Sequence, residues 1–239
     1  MKASARTDIG NKRSMNQDSL YCSDNPVGSF QNLYIVADGM GGHKAGDHAS
    51  KLCVETMVSI IENSIHKTPV TIFEEAVSAA NDIVYNKSKE NIEFEGMGTT
   101  MVACTLQGDT LYVANIGDSR LYLIDDSIKQ ITSDHSLVEE MVKKGNITES
   151  EARIHPRKNI ITRALGIDGK VRADYFEIKV KESDLILMCS DGLSNMIEDD
   201  DMEYIIRHSS TIDTAVENLI AKANENGGND NITVILAQI

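Results

Sequence analysis

Apolar residues along this chain fall into short unbroken runs and into stripes at helical spacing. Leu33 to Ala37 is an apolar run ending in Asp38-Gly39, the pattern of a buried strand that meets a tight turn. A helix follows from about Ala45, because Ala49, Leu52, Cys53, Thr56, Met57, Ile60 and Ile61 recur on one face. A second helix carries Ile72, Phe73, Ala76, Val77, Ala80 and Val84 on its buried face. Three strand-like runs come next, over 100–106, 111–116 and 120–124, joined by Gln107-Gly108-Asp109 and Gly117-Asp118-Ser119. Connections this short predict antiparallel hairpins, because a crossover helix does not fit in them. Residues 136–144 and 148–153 read as short charged helices, and 159–169 as a loop. Strands are expected at 175–180, 185–189 and 232–237, with helices at about 199–208 and 213–224 between the last two.

Strands and helices therefore come in blocks and do not alternate strictly, which gives an α+β class. Each helix pair has one apolar stripe and needs a sheet face to cover. A four-layer α-β-β-α sandwich, two stacked antiparallel sheets with helices outside each, satisfies both pairs.

The 239 residues include 41% hydrophobic and 25% charged positions, ordinary for a chain that buries a sizeable core. With only 3 prolines and no linker or break in composition, residues 1–239 read as a single domain. Lys and Arg number 23 against 37 Asp and Glu, a net charge of −14. Such a surface repels nucleic-acid phosphates and anionic membranes, and no basic cluster offsets it. No segment approaches the roughly 18 consecutive apolar residues of a membrane span, and the first residues lack the apolar run of a secretory signal. The expected location is cytoplasmic. Cys22, Cys53, Cys104 and Cys189 form no C-x-x-C pair, and three sit in apolar runs or stripes. They read as buried hydrophobes in a reducing compartment.

Chemistry enters with the aspartates. Asp38-Gly39 and Asp191-Gly192 each follow an apolar strand, and Asp118 sits in the turn Gly117-Asp118-Ser119. Asp230 precedes the last strand, and Asp18 precedes Leu20-Tyr21. Any one Asp-Gly is ordinary turn chemistry. Five such carboxylates, three directly abutting core strands, favour a shared metal site. An oxygen-only donor set suits hard cations such as Mg²⁺ or Mn²⁺. The segment Gly39-Met40-Gly41-Gly42-His43-Lys44-Ala45-Gly46 fails as a Walker A loop and as G-x-G-x-x-G. What remains is a glycine-rich turn carrying His43, either an exposed loop residue or a general acid among carboxylates. Arg13 is either a surface salt-bridge partner or a fork that grips phosphate.

The segments Thr7-Asp8-Ile9-Gly10, Arg13, Asn16-Gln17-Asp18, Val36-Ala37-Asp38-Gly39-Met40-Gly41-Gly42-His43 and Gly98-Thr99-Thr100 recur in one known order. Asn115-Ile116-Gly117-Asp118-Ser119-Arg120, Asp134-His135-Ser136, Thr162-Arg163-Ala164-Leu165-Gly166, Ser190-Asp191-Gly192-Leu193 and Asp230-Asn231-Ile232-Thr233 continue it. On these motifs the chain resembles the protein phosphatase 2C family of metal-dependent serine/threonine phosphatases, in its compact bacterial form. The resemblance implies two tight Mn²⁺ or Mg²⁺ ions and direct attack of a hydroxide held between them on phosphoserine or phosphothreonine. It implies that Asp38 bridges the ions, that the Gly39 carbonyl binds one, and that Asp191 and Asp230 bind the other. Asp18 would ligate directly or through water. Asp118 with Asp191 would hold a third, weaker ion, and Arg13 would bind phosphate. Residues 136–169 would form the flap beside the site. The eukaryotic pattern has a histidine directly after Asp-Gly, where this chain has Met40, so His43 is the nearest replacement as general acid. The implied partners are phosphorylated proteins and a cognate serine/threonine kinase, with the phosphatase itself a monomer. The competing readings are a catalytically silent phosphoprotein binder and a Ca²⁺ module. The latter lacks a 12-residue loop of alternating acidic ligands.

Overall fold

The computed structural model describes residues 1–42 and 45–239. It builds a six-stranded and a five-stranded antiparallel sheet. The first contains β2 (Asp18–Ser23), β3 (Leu33–Met40), β5 (Met101–Gln107), β6 (Thr110–Ile116) and β9 (Asp174–Lys179), in the order β2-β3-β5-β6-β9. The short β4 (Gly98–Thr99) pairs with the end of β3. The second sheet has the order β1-β11-β10-β7-β8, from β1 (Lys2–Asp8), β11 (Ile232–Gln238), β10 (Leu185–Cys189), β7 (Arg120–Ile124) and β8 (Ile128–Gln130).

Side-chain alternation along each strand sorts the core into three layers. On β3, Leu33, Ile35 and Ala37 face α1 (Ala45–Asn63) and α2 (Pro69–Ser88), joining Cys53, Met57, Ile61, Ile72 and Phe73. Tyr34 and Val36 point the other way, into a middle layer with Val102, Cys104, Leu121, Leu123, Met188 and Ile235. Beyond the second sheet, Tyr122, Leu187, Val234 and Leu236 pack on α6 (Asp199–His208) and α7 (Ile212–Glu225) through Met202, Ile206, Val216 and Leu219. The result is the α-β-β-α sandwich that the blocks of strands and helices predict. Deleting one of these fully buried side chains to Ala costs about 2–5 kcal/mol. All four cysteines are free, and three are buried.

One expectation fails. Residues 111–116 and 120–124 do not form a hairpin: β6 pairs with β5 and β9, whereas β7 pairs with β10 and β8. The 117–119 turn therefore carries the chain from one sheet to the other. The expected helices at 136–144 and 148–153 appear as α3 (Leu137–Lys143) and α4 (Glu149–Ile154), and α4 opens on a Thr148–Glu151 capping box. The stretch 136–169 adds no strand to either sheet and joins the rest through the single bridge Thr99–Leu165 and side-chain contacts such as Arg153 with Glu198, among the described residues. No helix among the described residues is long and apolar enough to cross a membrane.

Candidate metal centre

Asp18 heads β2 and stands directly opposite Asp38 on β3. Like charges placed opposite each other across a ladder repel, so this pair opposes the pairing it sits in. Asp18 is 7% exposed. Its Oδ2 accepts hydrogen bonds from Ser190 Oγ at 2.7 Å and Thr233 Oγ1 at 2.6 Å, both from the other sheet's side of the sandwich. Its Oδ1 is buried without a hydrogen-bond partner.

That second sheet supplies the next pair. Asp191 opens the one-turn helix α5 (Asp191–Ser194) directly after β10. Asn195 Nδ2 donates to its Oδ2 at 2.9 Å, and its Oδ1 is buried and unpartnered. Asp230 lies just before β11 and pairs with Arg13 at 2.6 Å. The loop carrying Arg13 is closed by Asn231, whose Nδ2 donates to the carbonyls of Ile9 and Met15 and whose Oδ1 accepts from Gln17 N–H.

Two glycines set the approach at the end of β3. A Cβ on Gly39 would sit 2.0 Å from the Gly46 carbonyl oxygen, so strand end and helix start touch through bare backbone. Asp118 rides the inter-sheet turn, where Gly117 has φ +102° and a Cβ there would meet Thr100 Cβ at 2.6 Å. Thr100 fastens this turn to Asp38: its Oγ1 lies 2.7 Å from Ser119 Oγ and accepts from Asp38 N–H at 3.0 Å.

Burial raises the carboxyls of Asp18, Asp38, Asp118 and Asp191. Burial pushes Asp18 to about 7, against the pull of the Thr233 and Ser190 hydroxyls, with Asp191 and Asp230 adding repulsion. Burial, then Asp191 and Asp134, push Asp118 to about 8. Burial and Asp230 push Asp191 to about 6, with Asp38 and Arg13 working the other way. Asp38 is held well above the usual carboxylate range by burial and then by Asp18, Asp191 and Asp118. Arg13 pairs with Asp230 and is half exposed, and Arg120 pulls the other way on Asp118 and Asp191.

Such an arrangement costs free energy until positive charge enters it. Two buried, unpartnered carboxylate oxygens and no Cys or His among these donors fit a hard divalent cation. Among the described residues no three His, Cys, Asp or Glu side chains close around a single point. Mg²⁺ and Mn²⁺ do not need that, because they take few carboxylates and complete their shells with carbonyls and water. A cleft of about 640 Å³ leads away from Asp118 and Asp191 between α3 and α4 on one side and α5 and α6 on the other. Glu139, Arg153 and Asn195 line it.

Of the expected residues, Asp18 stands opposite Asp38, Arg13 pairs with Asp230, and Asp118 and Asp191 line one cleft. Arg13 makes the half-exposed salt bridge of the simpler reading, but with a carboxylate of the cluster. His43 lies outside the described residues. The motif segments contain Ser190, Asn231, Thr233 and Thr100 without suggesting their roles, because their partners are distant in sequence.

The protein phosphatase 2C family model matches residues 10–236. The chain belongs to the protein phosphatase 2C family. This 2C-family phosphatase is a hydrolase acting on phosphoproteins. It is 40% identical over 247 residues to the serine/threonine phosphatase stp of Listeria monocytogenes, covering 100% of this chain and 96% of that one. The crystal structure of the Mycobacterium tuberculosis serine/threonine phosphatase PstP/Ppp matches with a TM-score of 0.91 at 33% identity, covering 100% of this chain and 98% of that one. A structure of the PstP catalytic domain in complex with two manganese ions matches with a TM-score of 0.88 at 33% identity, covering 99% and 97%.

Proposed function

We propose that this 2C-family enzyme is a metal-dependent phosphatase for phosphoserine and phosphothreonine, with Asp38, Gly39, Asp191 and Asp230 holding two Mn²⁺ or Mg²⁺ ions. The observation that carries the reading is the rim itself: buried carboxylates with unpartnered oxygens, facing one another with one paired arginine. The relative with two manganese ions supports the same chemistry. Asp18 contributes its free Oδ1 while Ser190 and Thr233 hold its other oxygen. Asp118, with Asp191, takes a third and weaker ion.

When bound, a divalent pair supplies ionised water at neutral pH and neutralises charge on the phosphoryl group. The chain's own residues bind and orient. Arg13 is half exposed, and its guanidinium can exchange Asp230 for two phosphoryl oxygens in a bidentate contact. The cleft beside Asp118 and Asp191 receives the polypeptide around the phosphorylated residue, under a flap formed by 136–169 in a single catalytic domain. His43 is assigned proton delivery to the departing alkoxide, on sequence grounds. With a net charge of −14, the chain attracts phosphate only where cations are loaded. Phosphorylated proteins are its substrates and a serine/threonine kinase its counterpart; it acts as a cytoplasmic monomer.

Hydrolysis of p-nitrophenyl phosphate and of a phosphothreonine peptide should require Mn²⁺ and stop in EDTA. Hydrolysis that persists undiminished in EDTA overturns the proposal.

A further inference from the structure

His135 stands outside the carboxylate cluster, yet it is tied to the turn that carries Asp118. The imidazole is buried, at 3% exposure. The backbone N–H of His135 donates to the Gly117 carbonyl at 2.9 Å, and the Gly117 N–H donates back to His135 Nδ1 at 3.0 Å. Nε2 lies 3.0 Å from Asp174 Oδ2, and Arg163 Nη1 donates to the other oxygen of Asp174 at 2.8 Å.

This geometry settles the proton. An N–H can donate only to a ring nitrogen with a free lone pair, so Nδ1 is bare and Nε2 carries the hydrogen, which it donates to Asp174. The ring is therefore a neutral acceptor toward Gly117, in one tautomer. Gly117 sits at φ +102°, and Asp118 is its neighbour. His135 fixes both peptide groups of Gly117, one through its own N–H and one through its ring. The His135 carbonyl also accepts from Thr162 N–H at 2.7 Å, and Ser136 bridges to Ile161, so the start of the 136–169 stretch is held to residues 161–162 beside this histidine.

We propose that His135 is a positioning residue: its Nδ1 lone pair sets the turn that aims Asp118, and Asp174 selects the tautomer that makes the lone pair available. The role rests on the reading of Asp118 as a ligand of the weaker ion. A residue beyond the ligands that fixes their orientation changes metal affinity by about 10- to 100-fold when altered.

Asp174→Asn tests it while conserving shape. Its amide oxygen can still accept from Arg163, but its NH₂ turned to Nε2 drives the ring proton to Nδ1, against the Gly117 N–H. The same logic makes a carboxylate-to-amide change disable a serine-protease histidine through its tautomer. His135→Gln reaches Asp174 but offers Gly117 no acceptor, whereas His135→Asn can place an amide oxygen where Nδ1 was.

Nitrogen-15 NMR of the metal-free chain should show a neutral Nε2–H imidazole in the wild type and Nδ1–H in Asp174→Asn. Exchange of the Gly117 amide should quicken roughly tenfold in Asp174→Asn and His135→Gln, the effect of one lost buried hydrogen bond. The Mn²⁺ concentration for half-maximal phosphopeptide hydrolysis should rise about tenfold in both, with tight Mn²⁺ binding by calorimetry unchanged. His135→Asn should fall nearer the wild type. A wild-type ring found as Nδ1–H or as imidazolium at pH 8 overturns the proposal, whether or not any variant folds. So does a switched tautomer with unchanged Gly117 exchange and an unchanged Mn²⁺ curve. Wild-type hydrolysis indifferent to EDTA overturns the metal reading itself, an outcome kept separate because the NMR measurements use metal-free protein.

Discussion

Replacing Asp18 with Asn should make the metal-free protein more stable, although it removes a residue of the site. Asp18 is buried, and its carboxyl is raised from 3.8 to about 7. A raised acid binds its proton more tightly in the folded chain than in the unfolded one. Its destabilising effect is therefore complete above the folded value near 7 and is relieved as pH falls toward 3.8. At about 1.4 kcal/mol for each unit, the ionised carboxylate costs on the order of 4 kcal/mol at pH 8. An Asn retains one oxygen for the hydroxyls of Ser190 and Thr233 and carries no charge. Allowing for imperfect fit, the gain should be about 2–4 kcal/mol, or roughly 4–16 °C in Tm for a chain of this size. Scanning calorimetry in EDTA at pH 8 and pH 5 is the assay. The variant should melt higher at pH 8, and its advantage should shrink to less than half at pH 5. Saturating Mn²⁺ should then raise the wild type much more than the variant. If Asp18→Asn melts below the wild type at pH 8 in EDTA, uncompensated charge is not what strains this rim.

Asp38→Ala, Asp191→Ala and Asp230→Ala should each abolish phosphopeptide hydrolysis and reduce the Mn²⁺ binding enthalpy in parallel; substantial turnover by the Asp38 variant at saturating Mn²⁺ would refute the ligand set. Arg13→Ala should raise KM for phosphopeptide by about 10- to 100-fold, the loss of one charge-assisted contact of roughly 1.5–3 kcal/mol; an unchanged KM and unchanged inhibition by phosphate would leave it a salt-bridge residue. Asp118→Asn should keep the fold and the two tight ions but lose the second, millimolar phase of Mn²⁺ activation, read from the activation curve. Gly39→Ala should lower Tm and Mn²⁺ affinity together, since its Cβ has no space against Gly46; a wild-type melt would show that the strand end yields freely.

Strands buried on both faces were legible as apolar runs, and β5, β6, β10 and β11 fall where those runs lie. β1 escaped notice because Lys2–Asp8 is mostly polar and half exposed; it is held by its full ladder to β11, not by an apolar pattern. β8 has three residues, too few to show a period. The inter-sheet step at 117–119 was invisible because β6 and β7 both read as apolar runs. Such a run shows that two faces are covered, not which sheet a strand joins. Asp38 and Asp191 were conspicuous as acids ending apolar runs beside glycine. Their supports were not: Ser190 and Thr233 reach Asp18 across 172 and 215 residues, and no local pattern encodes such a distance.

The strand order has a consequence for synthesis. β11, the last strand in sequence, lies between β1 and β10. A nascent chain emerging from β1 onward must leave that first strand without its partner until residues 232–238 are free. Asp230, immediately upstream, arrives equally late. Loop closure over such a span is slow and entropically costly. The five-stranded sheet and the carboxylate set that includes Asp230 are thus completed in one late step, and a chain that has not yet placed β11 holds β1 and β10 apart.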